Sequence, residues 1–445
     1  MRGRYRMRKV VKFGGSSLAN AAQFKKVGEI IRADQTRRYV VPSAPGKRHI
    51  NDTKVTDMLY HCYELAEKGK KFLPLLNEIK ARYEEIIDGL QLELSLDKEF
   101  EVIAEQFLKK AGRDYAASRG EYLNGIVMSS YLGITFIDAA EVIFFDKQGN
   151  LDLTRTEDVL AKRLENANRA VIPGFYGMGA DGKIHTFSRG GSDITGSIVA
   201  KAAKADMYEN WTDVSGFLIA DPRIIHNPQP IETITYRELR ELSYMVATVL
   251  HEDAIFPVRK DGIPINIRNT NAPQDPGTMI VESTCRQSKY TITGIAGKKG
   301  FASVHIEKEM MNAEIGFGRK VLQIFEDNEI PFEHMPSSID TMTVLVDQSV
   351  FEEKEQAVIS GIQRAVQPDH IQLESDFALL AVVGRGMARA RGTAGRIFSA
   401  LAHANVNVKM IDLGSSELNI IIGVKNEEFE TAIQAIYDIF VKTQI

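Results

Sequence analysis

The chain has 445 residues and a formal net charge of −4, from 55 Lys and Arg against 59 Asp and Glu. Its 44% hydrophobic and 26% charged residues exclude a disordered or collagen-like chain, and the slightly acidic balance argues against a nucleic-acid-binding protein. No uncharged run is long and apolar enough to cross a membrane. Two cysteines are too few for a disulfide framework or a structural zinc site, so we predict no metal site formed by the protein alone. No apolar segment follows the basic residues 2–9, which we interpret as a solvated leader of a cytoplasmic protein.

Strands alternate with helices over the first 285 residues. We predict, in chain order, a strand at 10–13, a helix at 18–33, a strand at 39–41, a helical block at about 57–119, and strand-like runs at 127–140 and 170–172. This alternation predicts an α/β domain with a mainly parallel sheet sandwiched by helices. Proline and glycine residues between 262 and 281 mark its end, so we place this domain at 1–285.

An internal repeat follows. Residues 316–332 align with 392–408 at a constant offset of 76 (392 − 316), and both copies contain a glycine turn, an amphipathic helix, a short break and a strand. The repeat predicts two small α+β domains. The second copy ends one strand short, whereas a strand-like run at 290–296 has no partner in the first. We therefore predict domains at 301–375 and at 290–296 plus 376–445, the orphan strand crossing over to complete the second sheet.

One glycine pattern is misleading. Residues 177–182 spell G-x-G-x-x-G, the dinucleotide-binding pattern, but a strand rather than a helix follows them. Residues 177–183 also match the start of a phosphate-binding loop, yet Ile184 stands where such a loop needs Ser or Thr. We therefore predict a hairpin turn around 180–182.

Three other segments carry a stronger signal for a phosphate and an amino acid. Lys12 ends the first strand, and the glycines after it would let backbone N–H groups approach phosphate oxygens. The run 187–195 contains Arg189, whose planar guanidinium suits a carboxylate, and then Ser192 and Asp193 at the start of a helix. The run 211–223 is a polar loop at the end of a strand, of the kind that holds a purine nucleotide.

Together these motifs resemble an aspartate kinase of the amino-acid kinase family. The resemblance rests on K-F-G-G-S-S, S-A-P-G, S-R-G-G-S-D-I-T, W-T-D-V-S-G and D-P-R over the first 285 residues. The second half resembles the tandem ferredoxin-like ACT domains of that family, and the helical block resembles its monofunctional, lysine-sensitive branch. The resemblance implies phosphorylation of the side chain of L-aspartate by ATP with Mg²⁺, at the start of lysine, threonine and methionine biosynthesis.

The resemblance also implies site residues. Lys12 and Asp193 would be catalytic. The substrate would contact Ser43, Thr56, Glu121, Arg189 and Ser192, with Glu121 at its ammonium and Arg189 at a carboxylate. ATP would contact Lys12, Gly14, Gly15, Ser16, Thr212, Asp213, Gly216 and Arg223. An amino-acid effector, with lysine favoured over threonine, would bind at Met311, Gly316, Phe317, Glu333 and Ser338.

Two departures from the family pattern leave alternatives open. Leu218 stands where the family often has tyrosine, and Thr248 stands where it often has lysine. The alternatives are an amino-acid-sensing protein with a weakened kinase domain, or another amino-acid kinase. Because ACT domains usually pair between chains, we expect a homodimer or tetramer.

Overall fold

The computed structural model describes residues 7–188, 190–245, 252–285, 289–414 and 416–443. These residues form two compact units. The strands of the first unit are β1 (Lys9–Phe13), β2 (Arg37–Pro42), β3 (Thr135–Phe136), β4 (Ala170–Val171), β5 (Tyr176–Met178), β6 (Ile184–Thr186), β7 (Met207–Thr212), β8 (Thr233–Thr235), β9 (Ile265–Asn269) and β10 (Thr278–Val281). Eight of them form one sheet in the order β3-β4-β2-β1-β7-β9-β10-β8, and all neighbours run parallel except β9 and β10.

Helices cover this sheet, as the alternating pattern predicted. Those of the first unit are α1 (Ala21–Ala33), α2 (Val55–Glu67), α3 (Leu73–Gly89), α4 (Asp97–Leu108), α5 (Arg113–Leu132), α6 (Ala139–Val142), α7 (Leu153–Glu165), α8 (Gly191–Ala202) and α10 (Glu252–Arg259). Between α8 and α10 in the chain lies α9 (Tyr236–Met245), which from Arg237 onwards belongs to the second unit. The predicted helical block is present as α2 to α5, and Pro74 lies in the first turn of α3, where proline is tolerated. Among the described residues, no helix is long and apolar enough to cross a membrane.

The strand predicted at 127–140 is wrong. Its first six residues are the last turns of α5, and only Thr135–Phe136 forms a strand. Helix α5 has buried residues on all sides, from Ala116 to Met128, because it lies within the core of the first unit. An apolar run without periodicity does not distinguish such a buried helix from a strand.

The hairpin predicted around 180–182 is confirmed. Strands β5 and β6 pair antiparallel, and Gly182 between them has a φ of +76°, in the left-handed region that favours glycine. No helix begins at this turn, so the G-x-G-x-x-G pattern is not a dinucleotide site.

The second unit is built on a six-stranded antiparallel sheet. Its strands are β11 (Gly294–Glu307), β12 (Phe332–His334), β13 (Thr341–Asp347), β14 (His370–Val383), β15 (Met410–Leu413) and β16 (Asn419–Lys425). Its helices are α11 (Phe317–Asp327), α12 (Gln348–Glu352), α13 (Glu355–Val366), α14 (Thr393–His403) and α15 (Phe429–Tyr437). The strand order is β12-β13-β11-β14-β16-β15.

The internal repeat is confirmed in this unit. Helices α11 and α14 have the same length and begin 76 residues apart (393 − 317). The glycine before each helix has a positive φ, +82° at Gly316 and +81° at Gly392. A short 3₁₀ turn precedes each glycine at matching positions.

Two strands predicted as separate, at 290–296 and 301–306, are one continuous strand, β11. Its first half, 294–299, pairs with 378–383 of β14, and its second half pairs with β13 and the start of β14. The first half thus lies beside the second repeat, where the crossing strand was predicted. The two strands merge because a register shift between Lys299 and Phe301 lets one strand serve both sheets without a break. The boundaries of the two ACT domains stay a prediction.

The first compact unit is not one continuous segment, and the predicted catalytic domain at 1–285 stays a prediction. Residues Leu218–Gln229 and the segment beginning at Arg237 group with the second unit. The backbone N–H of Ile295 donates to Ile219 at 2.7 Å, and the N–H of Gln229 donates to the Tyr437 hydroxyl at 2.9 Å. These hydrogen bonds hold the 218–229 loop to the second unit, which sequence pattern could not predict.

Candidate active site

Lys12 lies near the carboxyl end of β1, in the middle of the large sheet. The register places it opposite Asn210 of β7, so both side chains point to the same face. On that face, Nζ of Lys12 lies 2.6 Å from Oδ1 of Asp193, which belongs to the first turn of α8. Open α/β sheets bind ligands at the carboxyl ends of their strands, so a largely buried cation here suits a phosphate.

The loop before α8 positions Asp193. Gly190 has a φ of +58° and is the N-cap of α8, and its carbonyl accepts a hydrogen bond from the N–H of Asp193. Ser192 is largely buried in the same turn, against Gly174. Ser192 and Asp193 both lie in the first turn of α8, and their contacts with the substrate stay predictions. Arg189 lies outside the described residues, and its contact with a carboxylate stays a prediction.

The glycine turn after β1 is held by the end of β7 and by the loop that follows β2. The N–H of Gly14 donates to Trp211 at 3.0 Å, and the N–H of Gly46 donates to Gly15 at 2.8 Å. The side chain of Ser16, next in the turn, is exposed. The contact of Gly14, Gly15 and Ser16 with the phosphates of ATP stays a prediction.

The two glycines of the turn after β1 should respond differently to substitution. A Cβ on Gly15 would lie 2.9 Å from the carbonyl oxygen of Ala44, so Gly15→Ala is expected to lower the free energy of unfolding by about 1–3 kcal/mol. A Cβ on Gly14 would lie 3.7 Å from its nearest neighbours, an ordinary contact distance, so Gly14→Ala is the matched control. Denaturant unfolding measures both. Equal destabilisation by the two variants would contradict this prediction.

Glu121 is buried in the middle of α5. Burial raises the pKa of its carboxyl group to about 8, against the opposing effects of a hydrogen bond from the Ala44 backbone and the charges of Arg119 and Lys12. Its Oε2 atom has no hydrogen-bond partner among the described residues. A buried carboxylate is costly unless a cation pairs with it, so Glu121 suits the ammonium group of an amino acid.

One side chain links the two ends of the loop at 46–54. This loop is longer than the family resemblance leads us to expect. The Arg82 guanidinium donates to the carbonyl of Gly46 at 2.8 Å and to that of Thr53 at 2.6 Å, and it lies 3.4 Å from Asp52. Arg82 is itself buried in α3. Both ends of the loop are therefore attached to the same helix.

Ser43 and Thr56 flank this loop. The N–H of Ser43 donates to Phe13 at 3.0 Å, and its carbonyl accepts from Nδ2 of Asn124 at 2.6 Å. Ser43 therefore lies at the end of β1 and against α5, the helix that carries Glu121. Thr56 is the second residue of α2. A contact of either side chain with the substrate stays a prediction.

The predicted nucleotide residues divide between the two units. Thr212 ends β7, and its hydroxyl donates to Asp213 at 3.2 Å. Gly216 has a φ of +97°, so the backbone conformation itself requires glycine there. Arg223 belongs to the second unit, where its mostly exposed guanidinium pairs with Asp221 at 2.5 Å. Their contacts with ATP stay predictions.

The structure describes only one of the two residues that depart from the family pattern. Leu218 is a partly exposed residue of the second unit, 38% accessible. Thr248 lies outside the described residues. The alternative of a weakened kinase domain therefore stays open at these two positions.

Trp211 has a structural role on the face of β7 opposite Asn210. Its Nε1–H donates to the buried carboxylate of Glu209 at 2.9 Å, and Arg37 donates to the same carboxylate at 2.8 Å. The indole also stacks on Phe13 of β1, with ring centroids 5.9 Å apart. These contacts stabilise the pairing of β1 with β7, and hence the strand that carries Lys12.

The predicted effector residues, Met311, Gly316, Phe317, Glu333 and Ser338, all belong to the second unit. Met311 and Phe317 are core side chains, so a ligand would meet their backbone. The N–H of Asn312 donates to Ile339 at 3.1 Å, which holds the turn before α11 against the turn that contains Ser338. Glu333 lies on the edge strand β12.

Sequence reasoning missed three polar residues of the site. Asn124 lies three residues after Glu121, on the same side of a helix, and this spacing could have revealed it. Asn210 adjoins Trp211 in the sequence, but its pairing with Lys12 depends on strand register. Arg82 is one charged residue in a charged helical block, and its sequence context carries no signal.

Comparison with known proteins agrees with this geometry. Residues 7–269 match the family model of the Amino acid kinase family, and residues 380–440 match that of the ACT domain. The chain is 40% identical to Aspartokinase 3 of Bacillus subtilis over 97% of this chain and 98% of that protein. The crystal structure of Clostridium acetobutylicum aspartate kinase is 50% identical, with a TM-score of 0.91 over 98% of this chain and 100% of that one. E. coli aspartokinase III, solved with aspartate and ADP, shares the fold, with a TM-score of 0.72 and 23% identity over 97% of this chain and 99% of that one.

A mainly parallel sheet with a buried lysine near its carboxyl edge, followed by an antiparallel ACT region, defines the class of this protein. The chain belongs to the amino acid kinase family and, within it, to the aspartokinases. The predicted fold class and the predicted enzyme class, an aspartate kinase, are therefore confirmed.

Proposed function

We propose that the protein transfers the γ-phosphoryl group of MgATP to the side-chain carboxylate of L-aspartate, giving 4-phospho-L-aspartate. This reaction would begin the biosynthesis of lysine, threonine and methionine. The observation that supports it best is the pairing of Lys12 with Asp193 at the carboxyl edge of the sheet, close enough to the buried Glu121 for the charge of Lys12 to act on its carboxyl group. A cation for the phosphate and a carboxyl group for an ammonium would thus share one site.

The chemistry requires positioning and charge stabilisation rather than a base. The side-chain carboxylate of aspartate is ionised at neutral pH and is already a nucleophile. Mg²⁺ enters with the nucleotide substrate and neutralises phosphate charge. Lys12 turns from Asp193 towards the transferring group, where its charge stabilises the transition state. Glu121 and Arg189 hold opposite ends of the acceptor, so that its carboxylate faces the phosphate.

The remaining predicted residues complete these two subsites. Ser43, Thr56 and Ser192 would surround the acceptor. Gly14, Gly15 and Ser16 would contact the phosphates through their backbone, and Thr212, Asp213, Gly216 and Arg223 would hold the rest of the nucleotide.

The test is the formation of an aspartyl hydroxamate by the purified full-length protein with ATP, Mg²⁺ and hydroxylamine. We expect a signal that requires L-aspartate and is absent with L-glutamate. A signal with another acceptor would indicate a different amino-acid kinase. No signal, together with amino-acid binding to the C-terminal half, would indicate a sensing protein and overturn the proposal.

We also propose that lysine, with threonine as the alternative, inhibits the enzyme by binding near the turns that carry Gly316 and Ser338, in a homodimer or tetramer formed through the ACT domains. Glu333 would pair with an ammonium group of the effector. We expect Glu333→Gln to raise the lysine concentration for half-inhibition by roughly tenfold or more, the effect of losing a hydrogen bond to a charged group.

The matched control for this prediction is Glu326→Gln, on the exposed side of α11. It should leave inhibition unchanged within about twofold, since an exposed charge at a distance is screened by solvent. Dose-response curves with lysine and with threonine measure both variants. Equal sensitivity of the wild type and Glu333→Gln to lysine would contradict the role of Glu333.

A further inference from the structure

Asn210 is a buried amide in the middle of the site, and the motif analysis gave it no role. It lies on β7 directly opposite Lys12 of β1 and is only 4% exposed. Its Nδ2 atom donates to Oδ1 of Asp193 at 2.8 Å. The same oxygen lies 2.6 Å from Nζ of Lys12. One carboxylate oxygen therefore accepts from two donors on neighbouring strands.

The two donors would have different fates during the reaction. In the proposed mechanism Lys12 turns towards the transferring phosphoryl group, which weakens its hydrogen bond to Asp193. The amide of Asn210 is neutral and carries no charge to attract phosphate, so it keeps its hydrogen bond. Without that bond, the carboxylate would be free to rotate or to follow the lysine.

The backbone of Asp193 is held independently of Asn210. The Tyr208 hydroxyl donates to the carbonyl of Asp193 at 3.2 Å, and the N–H of Asp193 donates to Gly190 at 2.9 Å. Loss of the Asn210 amide would therefore leave the turn of α8 in place and release the carboxylate of Asp193 alone. This separation makes a positioning role distinguishable from a general structural role.

We propose that Asn210 is a positioning residue for phosphoryl transfer, which holds the carboxylate of Asp193 while Lys12 moves to the phosphate. The inference rests on the proposed function, because it assumes that Lys12 acts on the transferring group. Asn210 is a neutral donor that holds the carboxylate of Asp193, to which Lys12 returns after each phosphoryl transfer.

Two variants of the full-length protein test this role. Asn210→Leu keeps a similar volume and removes the donor, so we expect kcat to fall on the order of tenfold, with the KM for ATP within about twofold of wild type. Asn210→Asp places a second carboxylate beside Asp193, and two adjacent carboxylates resist joint ionisation. At low pH they would share a proton and restore a donor, so the kcat of this variant relative to wild type should rise between pH 9 and pH 6.

The matched control is Asn266→Leu, which removes a buried amide from the adjacent strand β9. It should lower the thermal midpoint without changing kcat by more than about twofold. Unchanged kcat in Asn210→Leu overturns the inference. A second result would also overturn it. In that result, both Asn210 variants lose kcat only in proportion to their loss of thermal stability, and their kcat values have the same pH dependence. If the wild type forms no aspartyl hydroxamate, the proposed function fails and the inference fails with it. If the wild type is active and Asn210→Leu is equally active, only the positioning role is refuted.

Discussion

Replacing Lys12 with alanine is expected to lower turnover by roughly 10²- to 10³-fold, the cost of removing one preorganised charge from a transition state. Lys12 is largely buried, and its ammonium lies 2.6 Å from Asp193 near the carboxyl edge of the sheet. In such an environment a charge acts more strongly than it would in water. The measurement is kcat at saturating aspartate and ATP, with the thermal midpoint of each variant recorded alongside.

Lys9 provides the matched control for this prediction. It lies three residues earlier on the same strand, on the opposite face, and pairs with Asp34 at 2.9 Å and with Glu209 at 3.1 Å. Lys9→Ala should lower the thermal midpoint, because buried Glu209 loses one cationic partner, yet keep kcat within about twofold. Near-normal turnover in a folded Lys12→Ala enzyme would refute the catalytic role of Lys12.

Glu121→Gln is expected to raise the KM for aspartate by roughly 10- to 100-fold at pH 9, since a hydrogen bond between two charged groups would be lost. The KM for ATP should stay within about twofold. The size of the effect should depend on pH, because burial raises the pKa of Glu121 to about 8. Below that pH the wild-type carboxyl group is increasingly protonated, and the difference between the two enzymes should shrink.

The same pKa predicts an opposite effect on stability. The pKa of Glu121 in the folded protein lies above its ordinary value of 4.5, so the folded state binds the proton more tightly than the unfolded state. Its contribution to stability is therefore fully present below about pH 4.5 and is lost as pH rises through about 8. Glu121→Gln should have a higher thermal midpoint than the wild type at pH 9, and this difference should diminish towards pH 5.

An exposed glutamate of the helical block serves as the control. Glu105 lies 3.5 Å from Lys109 on the surface of α4, and Glu105→Gln should change neither the aspartate KM nor the pH dependence of stability. If Glu121→Gln bound aspartate as well as the wild type at pH 9, the carboxylate would not be the ammonium ligand. Lower stability of that variant at pH 9 would contradict the raised pKa.

Much of the site was predictable because its signals are local. The end of a strand, a glycine turn and the start of a helix are encoded in a few adjacent residues. The turns at Lys12 and at Asp193 were identified in this way, and the hairpin at 180–182 was correctly separated from a phosphate loop. The 76-residue repeat was also visible, because both copies share one helix pattern and one glycine turn.

Errors arose where composition was uniform or where two segments had to pair. The run at 127–140 was predicted as a strand, but its apolar residues belong to the end of a helix buried on all sides. The strands predicted at 290–296 and 301–306 were separated, whereas residues 294–307 form the single strand β11, which continues through a register shift. Short apolar runs and glycines have more than one structural solution, and neighbouring elements select among them.

The class of fold, the enzyme class and the strand that carries Lys12 followed from the sequence alone, because turn chemistry and hydrophobic periodicity act over a few residues. Only the tertiary structure decided what surrounds that lysine. Asn210 meets Lys12 through the register of β1 with β7, and Asp193 meets it from the first turn of α8. Glu121 has a raised pKa because α5 is enclosed by the core. Register and burial are properties of elements that have already packed together, so they leave no pattern in any one segment of the chain.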